Sequence, residues 1–186
     1  MISNVAGYRF VDLTDRDALR KPFQDICKKN DLKGTILLSY EGLNFFLAGT
    51  QSSIDKFLEF LEEDSRFSNI HLKYSYTEYQ PFNRMNVRLK NEIISLGLDH
   101  VKPAERTGEE ITPTEFKKWL DEGREVAIID TRNDYEIRLG TFENALDLNI
   151  KSFRAFPKAV ESLPESMKDT PVVMFCTGGI RCEKAS

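Results

Sequence analysis

A short segment near residue 180 combines a thiol, two adjacent glycines and an arginine. It reads Cys176, Thr177, Gly178, Gly179, Ile180, Arg181, Cys182 and Glu183. Two adjacent glycines allow the backbone to curl so that successive N–H groups point towards one centre, which is an arrangement that binds an anion. A helix that starts after the loop would add the favourable end of its dipole. We therefore expect Cys176 to ionise readily, with a pKa between about 4 and 7.5, and the loop to hold a persulfide anion equally well.

Two other residues of this loop favour reactive thiol chemistry. Arg181 lies close enough in sequence to supply a fixed positive charge, and Cys182 is a possible resolving or structural thiol. A buried structural cysteine beside a glycine turn is the alternative for Cys176. The chain has three cysteines, and this odd number argues against a disulfide framework.

Composition excludes some classes of function and leaves others open. The 186 residues carry a net charge of −4, with 30% charged residues spread along the chain. This balance provides no general attraction to nucleic acid or to anionic membranes, although a local basic patch is compatible with it. No apolar run reaches the roughly 18 residues of a membrane span, and the first residues do not resemble a signal peptide. We expect a cytoplasmic protein without membrane contact.

The elements that must position the cysteine loop form an alternating helix and strand pattern. Thr112 and Pro113 are typical of a helix start, with threonine as the cap and proline in the first turn. The apolar runs 126–130 and 171–175 predict two buried parallel strands, and helix is plausible within 149–168. The second strand runs directly into Cys176, so the thiol lies at the carboxyl end of a strand, where α/β proteins place their sites.

The first part of the chain shows a different order of elements. Strands are predicted at 5–13, 34–40, 43–49 and 72–79, with helices over 15–29 and after a cap at Ser52 or Ser53. The order β-α-β-β-α-β is the split arrangement of ferredoxin-like domains. We expect a domain over 1–97, a linker over 98–110 and a second domain over 111–186.

A further predicted strand, 84–90, carries a row of cations. Its apolar residues alternate with Arg84, Asn86, Arg88 and Lys90, and successive side chains on one face of a strand lie about 7 Å apart. The polar face is either an ordinary solvated surface or a strip that contacts RNA phosphates. The sequence leaves both interpretations open.

Two motifs carry a resemblance to a known family. The residues that match the first rhodanese signature are Asp130, Arg132, Glu136, Gly140 and Ala145. The residues that match the rhodanese catalytic loop are Cys176, Gly179 and Arg181. Ile137 and Phe142 depart from the signature but remain apolar. Asp130 can pair with Arg132, and Glu136 with Arg132 or Arg138; we expect these residues to shape the domain rather than to react.

Two longer runs of sequence narrow the resemblance to one family of rhodanese-domain proteins. The run from Cys176 to Ala185 and the run 84–93 together resemble the oxygen-dependent tRNA uridine hydroxylase family. The resemblance implies an α+β N-terminal ferredoxin-like (acylphosphatase-like) domain, followed by a partial α/β rhodanese domain. It also implies that tRNA is the partner and that 5-hydroxyuridine is formed at tRNA position 34. Cys176 is implied as the active-site residue. Dioxygen and an unidentified electron donor are implied as well.

The sequence also bears on activity and on cofactors. A rhodanese domain ordinarily continues beyond its active-site loop, so we expect a chain that stops at Ser186 to be inactive or nearly so. No metal site or organic cofactor is evident, because His71 and His100 are isolated. Plain sulfur transfer through a Cys176 persulfide is the alternative function. The loop between Cys176 and Arg181 is too short for a cysteine phosphatase. The intact Cys-Gly-Gly-Arg pattern of the same loop argues against a non-catalytic interaction module.

Overall fold

A computed structural model describes all residues, Met1–Ser186, and divides into two compact units. The first unit is Met1–Ile93 and the second is Ile94–Ser186. The domain limits expected from the sequence, at 97, 98–110 and 111, differ from this division by some residues and stay a prediction. None of the helices combines the length and the apolar character needed to cross a membrane.

The first unit is a five-stranded sheet with two helices packed on one face. Its elements are β1 (Ile2–Phe10), α1 (Arg16–Lys29), β2 (Lys33–Ser39), β3 (Gly42–Gly49), α2 (Gln51–Glu62), β4 (Lys73–Thr77) and β5 (Met85–Leu89). The strand order is β4-β1-β3-β2-β5, with β5 parallel to β2 and the other neighbours antiparallel. The expected ferredoxin-like order is confirmed, and β5 extends the sheet at one edge.

The core of the first unit lies between the sheet and its helices. Alternation along β2 and β3 sends one set of apolar side chains towards the helices, and these include Ile36, Leu38, Phe45 and Leu47. Phe57 of α2 meets the ring of Phe45 edge to face, at 5.3 Å between centroids. Cys27 is fully buried on α1, and burial raises its pKa to about 12. It is a residue of the hydrophobic core.

The start of α2 differs from the expectation. Thr50, rather than Ser52 or Ser53, is the capping residue, and its hydroxyl accepts a hydrogen bond from the Ser53 N–H at 3.1 Å. The reason is that helical backbone begins at Gln51, almost directly after β3, so the extended backbone that a cap requires falls at Thr50.

The second unit contains a small parallel sheet. Its elements are α3 (Pro113–Asp121), β6 (Ala127–Asp130), α4 (Asp134–Ile137), β7 (Leu146–Asp147), α5 (Phe156–Glu161), β8 (Val172–Phe175) and α6 (Ile180–Ala185). The strand order is β7-β6-β8, and both pairings are parallel. The helix expected within 149–168 is divided into short pieces: Pro157 lies in the first turn of α5, and Pro164 is the cap of a separate 3-10 helix, Glu165–Asp169.

Strand β6 is buried on both faces. Ile129 packs in a cluster with Ile150 and Phe156, whereas Ile128 packs with Phe116 and others on the opposite side. This explains why the sequence of β6 is a continuous apolar run rather than an alternating one. The paired strands β6 and β8 carry the loops that follow them.

Candidate active site

The cysteine loop starts where β8 ends, beside the end of β6. Asp130 of β6 is in register with Phe175 of β8, and Cys176 is the next residue. Thr131 joins the two strand ends, since its N–H and its hydroxyl both donate to the Phe175 carbonyl, at 3.1 and 3.0 Å. Thr131 is fully buried, so the base of the loop is anchored to the sheet.

The backbone of the loop curls around the Cys176 sulfur. The N–H of Gly179 donates to Cys176 Sγ at 2.9 Å, and the backbone N–H groups of Gly178, Arg181 and Cys182 add hydrogen bonds to it. Gly179 has a φ of 92°, a left-handed conformation that glycine adopts without a steric penalty. The nest that the paired glycines predicted is therefore present.

The two thiols of the loop differ in protonation. A hydrogen bond from the Cys182 side chain, reinforced by the backbone N–H groups and opposed by burial, lowers the pKa of Cys176 to about 5. The same hydrogen bond and burial raise the pKa of Cys182 well above its ordinary value. Cys176 is consequently a thiolate at neutral pH, while Cys182 stays protonated and donates to it. Cys182 Sγ also lies 3.6 Å from the Thr131 hydroxyl.

A bidentate ion pair holds the loop to α4. Arg181 donates to both carboxylate oxygens of Glu136, at 2.6 and 2.7 Å, and the Thr177 hydroxyl donates to the same carboxylate at 2.6 Å. Arg181 is buried, with 9% of its surface exposed. The hydrogen bonds from Arg181, with that from Thr177, lower the pKa of Glu136 to about 2 despite burial. The carboxylate is thus ionised throughout the neutral range.

A second charged network stabilises the segment after β6. Asp130 is fully buried and accepts hydrogen bonds from the Arg132 guanidinium, the shortest at 2.6 Å, and from Thr141 at 2.8 Å. Burial opposes ionisation of Asp130, but these donors outweigh it and hold its pKa below the ordinary value. Arg132 also donates to the Gly140 carbonyl at 2.7 Å. The network closes the turn between β6 and the residues that follow α4.

Comparison with known proteins identifies both halves of the chain. Residues 2–93 match the family model described as the UPF0176 acylphosphatase like domain, and residues 112–186 match the Rhodanese-like domain. A tRNA uridine(34) hydroxylase of Cupriavidus necator is 46% identical over the whole chain, which spans 67% of that relative. The enzyme of the same name from Thiobacillus denitrificans is 45% identical, and the chain spans 77% of it.

The chain belongs to the tRNA uridine(34) hydroxylase family. The family resemblance drawn from the two motifs is confirmed, as is the combination of an acylphosphatase-like and a rhodanese-like domain. Among solved structures, an acylphosphatase from Bacillus subtilis superposes with a TM-score of 0.38 and 18% identity, over 47% of this chain and 99% of the other.

The structure brings the motif residues of this family into one hydrogen-bonded site. The predicted loop residues, Cys176 to Cys182, surround the thiolate, and Glu136 contacts them directly. Asp130, Arg132 and Gly140 form the neighbouring network. The expected pairing of Asp130 with Arg132 is confirmed.

One predicted partner was wrong. Glu136 pairs with Arg181 rather than with Arg132 or Arg138, and Arg138 pairs with Asp134 one helical turn away. Arg132 is directed to Asp130 and Gly140 instead. A partner that lies 45 residues along the chain cannot be identified from local spacing, because only the pairing of β6 with β8 brings the two segments together.

Thr131 and Thr141 are functional neighbours that the sequence analysis missed. Thr131 anchors the end of β8 and Thr141 bonds the buried Asp130. The position of Thr131 directly after a buried strand is a weak sequence signal for its anchoring role. Nothing in the local sequence indicates the hydrogen bond from Thr141 to Asp130. No group of three or more His, Cys, Asp or Glu side chains is arranged to hold a metal ion.

The predicted basic strip lies in the first unit. Arg84, Arg88 and Lys90 are exposed, whereas Val87 on the opposite face of β5 is only 5% exposed. None of the three cations forms an ion pair with a carboxylate. The alternation expected along this strand is confirmed, and the role of the strip stays a prediction.

Removal of the Glu136 carboxylate should leave the buried charge of Arg181 without a partner. We expect Glu136→Gln to lower the free energy of unfolding at pH 7 by about 3 kcal/mol, because Arg181 loses its buried counter-ion. The folded pKa of Glu136 is about 2 and its ordinary value is 4.5, so the contribution is complete above pH 4.5 and is lost as the pH falls towards 2. Urea unfolding between pH 7 and pH 3 should show this difference shrinking below pH 4.5.

A matched control is available at the surface. Glu165 pairs with Lys168, with both side chains more than 70% exposed, and Glu165→Gln should cost less than about 1 kcal/mol. An equal effect of the two substitutions would contradict the structural role of Glu136.

The Cys176 thiolate should be visible in alkylation kinetics. We expect the rate of Cys176 modification by iodoacetamide, followed by peptide mass spectrometry, to rise with a midpoint near pH 5. Cys182→Ala should move the midpoint upward because it removes the S–H donor, whereas Cys182→Ser should keep it low because the hydroxyl still donates. A midpoint above about 8 in the unmodified protein would refute the activated thiolate.

Proposed function

We propose that the function of this protein is hydroxylation of uridine 34 of tRNA to 5-hydroxyuridine, with Cys176 as the catalytic residue. The observation that carries the proposal is the 46% identity, over the whole chain, with a relative named tRNA uridine(34) hydroxylase. The site supports it, since the one low-pKa thiol of the chain lies in the loop that gives the rhodanese-like match.

The residues around Cys176 have separable tasks in this proposal. The backbone N–H groups of the loop hold the sulfur as an anion, and Cys182 donates a further hydrogen bond to it. Glu136 and Arg181 fix the curvature of the loop. Because the thiolate is already formed at neutral pH, Cys176 can act as a nucleophile without a separate general base.

The proposed reaction requires dioxygen and an external two-electron donor. Insertion of one atom of dioxygen into a C–H bond, with release of the other as water, consumes two electrons and two protons. These electrons must come from outside the substrate. The electron donor and dioxygen are therefore co-reactants of the proposed reaction.

The proposed substrate also assigns a role to the cationic strip. Arg84, Arg88 and Lys90 provide positive charge without local counter-ions, which is the property that phosphate contacts require. We assign this strip to the tRNA backbone. A tRNA substrate places the proposed reaction in the cytoplasm.

The proposed reaction can be tested in cells. Total tRNA is digested from cells that lack the gene and any other route to 5-hydroxyuridine, and from the same cells complemented with the gene or a variant. We expect the gene to restore nucleosides derived from 5-hydroxyuridine and Cys176→Ala to abolish them, as measured by mass spectrometry. Cys27→Ala is the matched control, because Cys27 is a buried core thiol and the variant should retain the nucleoside.

The alternative of plain sulfur transfer is distinguished by the same experiment. If the intact gene leaves 5-hydroxyuridine unchanged, the hydroxylase proposal fails. Transfer of sulfane sulfur through a Cys176 persulfide then becomes the leading function.

The cationic strip has its own prediction. Replacing Arg84, Arg88 and Lys90 by alanine should weaken tRNA binding and should flatten the plot of log affinity against log salt. Each lost phosphate contact reduces that slope by about 0.7 to 0.9. Fluorescence anisotropy of labelled tRNA from low to moderate salt measures both quantities, and an unchanged slope would show that the strip is an ordinary solvated face.

A further inference from the structure

One large aromatic side chain is exposed on the sheet face of the first unit that does not pack against α1 and α2. Phe46 belongs to the middle strand, β3, and is the one exposed residue of that strand, with 53% of its surface accessible. Its direct neighbours across the sheet are Ala6 on β1 and Thr35 on β2. Because both neighbours are small, they leave the ring uncovered.

A single exposed apolar side chain is ordinary on a protein surface, so the surroundings of Phe46 decide its meaning. The strand register places Lys33 and Arg88 on the same face, and Arg84 and Lys90 continue it at the ends of β5. No strand position on this face holds aspartate or glutamate. In a chain with a net charge of −4, this face is locally positive.

Polar groups lie beside the ring on the side of the cations. Thr35 is opposite Phe46, and Asn86 on β5 is opposite Thr35. Neighbouring strands are 4.7–4.9 Å apart, so Asn86 lies about 10 Å from the Phe46 backbone. An amide and a hydroxyl at these positions can exchange hydrogen bonds with the edge of a flat ring stacked on Phe46.

We propose that this face binds single-stranded RNA, with an unpaired base stacked on Phe46 and phosphates near Arg88 and Lys33. Sheets with exposed aromatic side chains bind unpaired bases in this manner, and stacking of a base on an aromatic ring depends little on sequence. The proposal rests on the proposed function in one respect, namely that the substrate is an RNA whose modified uridine is unpaired.

Two other occupants fit the face less well. A protein partner would bury a cluster of apolar side chains at the core of the interface, but Phe46 is the one large exposed apolar residue among cations. A continuous RNA duplex is recognised by its shape and backbone and offers no free base to stack. The combination of one open ring with unpaired cations therefore favours a single strand.

Binding is tested with the whole chain and a labelled RNA hairpin that contains a seven-nucleotide loop, with a blunt duplex of the same length as the reference. We expect Phe46→Ala to weaken binding of the hairpin about tenfold without changing its salt dependence. Phe46→Tyr should retain the affinity for the hairpin. Tyr76→Ala is the matched control, since Tyr76 is 57% exposed on β4 but belongs to the other face of the sheet. Circular dichroism should show unchanged folding of each variant.

Stacking itself has a direct optical readout. Trp119 is the sole tryptophan, so Phe46→Trp in a Trp119→Phe background places a single fluorophore on the sheet face. We expect the hairpin to quench its emission and the duplex to leave it unchanged. Equal quenching by both, or none by either, would overturn the proposal, as would full hairpin affinity in folded Phe46→Ala.

The outcomes separate this inference from the proposed reaction. If hairpin binding depends on Phe46 but the gene does not control 5-hydroxyuridine, the RNA-binding face stands and the hydroxylase proposal fails. If the gene controls the nucleoside and Phe46→Ala binds RNA normally, the stacking face is wrong and the reaction stands. A change in sedimentation of Phe46→Ala with intact RNA affinity would identify an interface between copies and would also refute the inference.

Discussion

The ion pair between Glu136 and Arg181 is the interaction on which the rest of the site depends. It joins α4 to the cysteine loop across 45 residues of chain, with two hydrogen bonds of 2.6 and 2.7 Å. Thr177 adds a third donor to the same carboxylate. Since Arg181 and Thr177 belong to the loop itself, the pair fixes the curvature that directs backbone N–H groups at Cys176.

The pairing has a consequence for the electrostatics of the thiolate. Glu136 neutralises much of the charge of Arg181, so the anion at Cys176 is held mainly by the Cys182 side chain and by backbone N–H groups. These donors are fixed by the loop and need no reorganisation when charge develops. A nest of this kind stabilises a small, soft anion such as a thiolate or a persulfide. Cys182 remains a proton donor because its hydrogen bond to Cys176, its burial and the adjacent negative charge all raise its pKa.

Charge in the first unit is arranged by strand alternation rather than by composition. The face of the sheet that packs on α1 and α2 is apolar, and the opposite face collects cations around Phe46. The overall net charge of −4 gives no indication of this, because an average over the chain does not resolve one face. A local basic surface on an acidic protein limits non-specific attraction while still permitting phosphate contacts.

Much of this architecture was predictable from the sequence, and the reasons are local. Periodicity identified the helices and strands of the first unit, the apolar runs identified β6 and β8, and Thr112 and Pro113 located the start of α3. The Cys176 loop was identified by its paired glycines. These features depend on residues within a few positions of one another. The partner of Glu136, the anchoring role of Thr131 and the exposed position of Phe46 depended on which strands pair and in what register. Only the tertiary structure decided them, because contacts between distant segments are set by sheet topology and core packing, which local spacing does not encode.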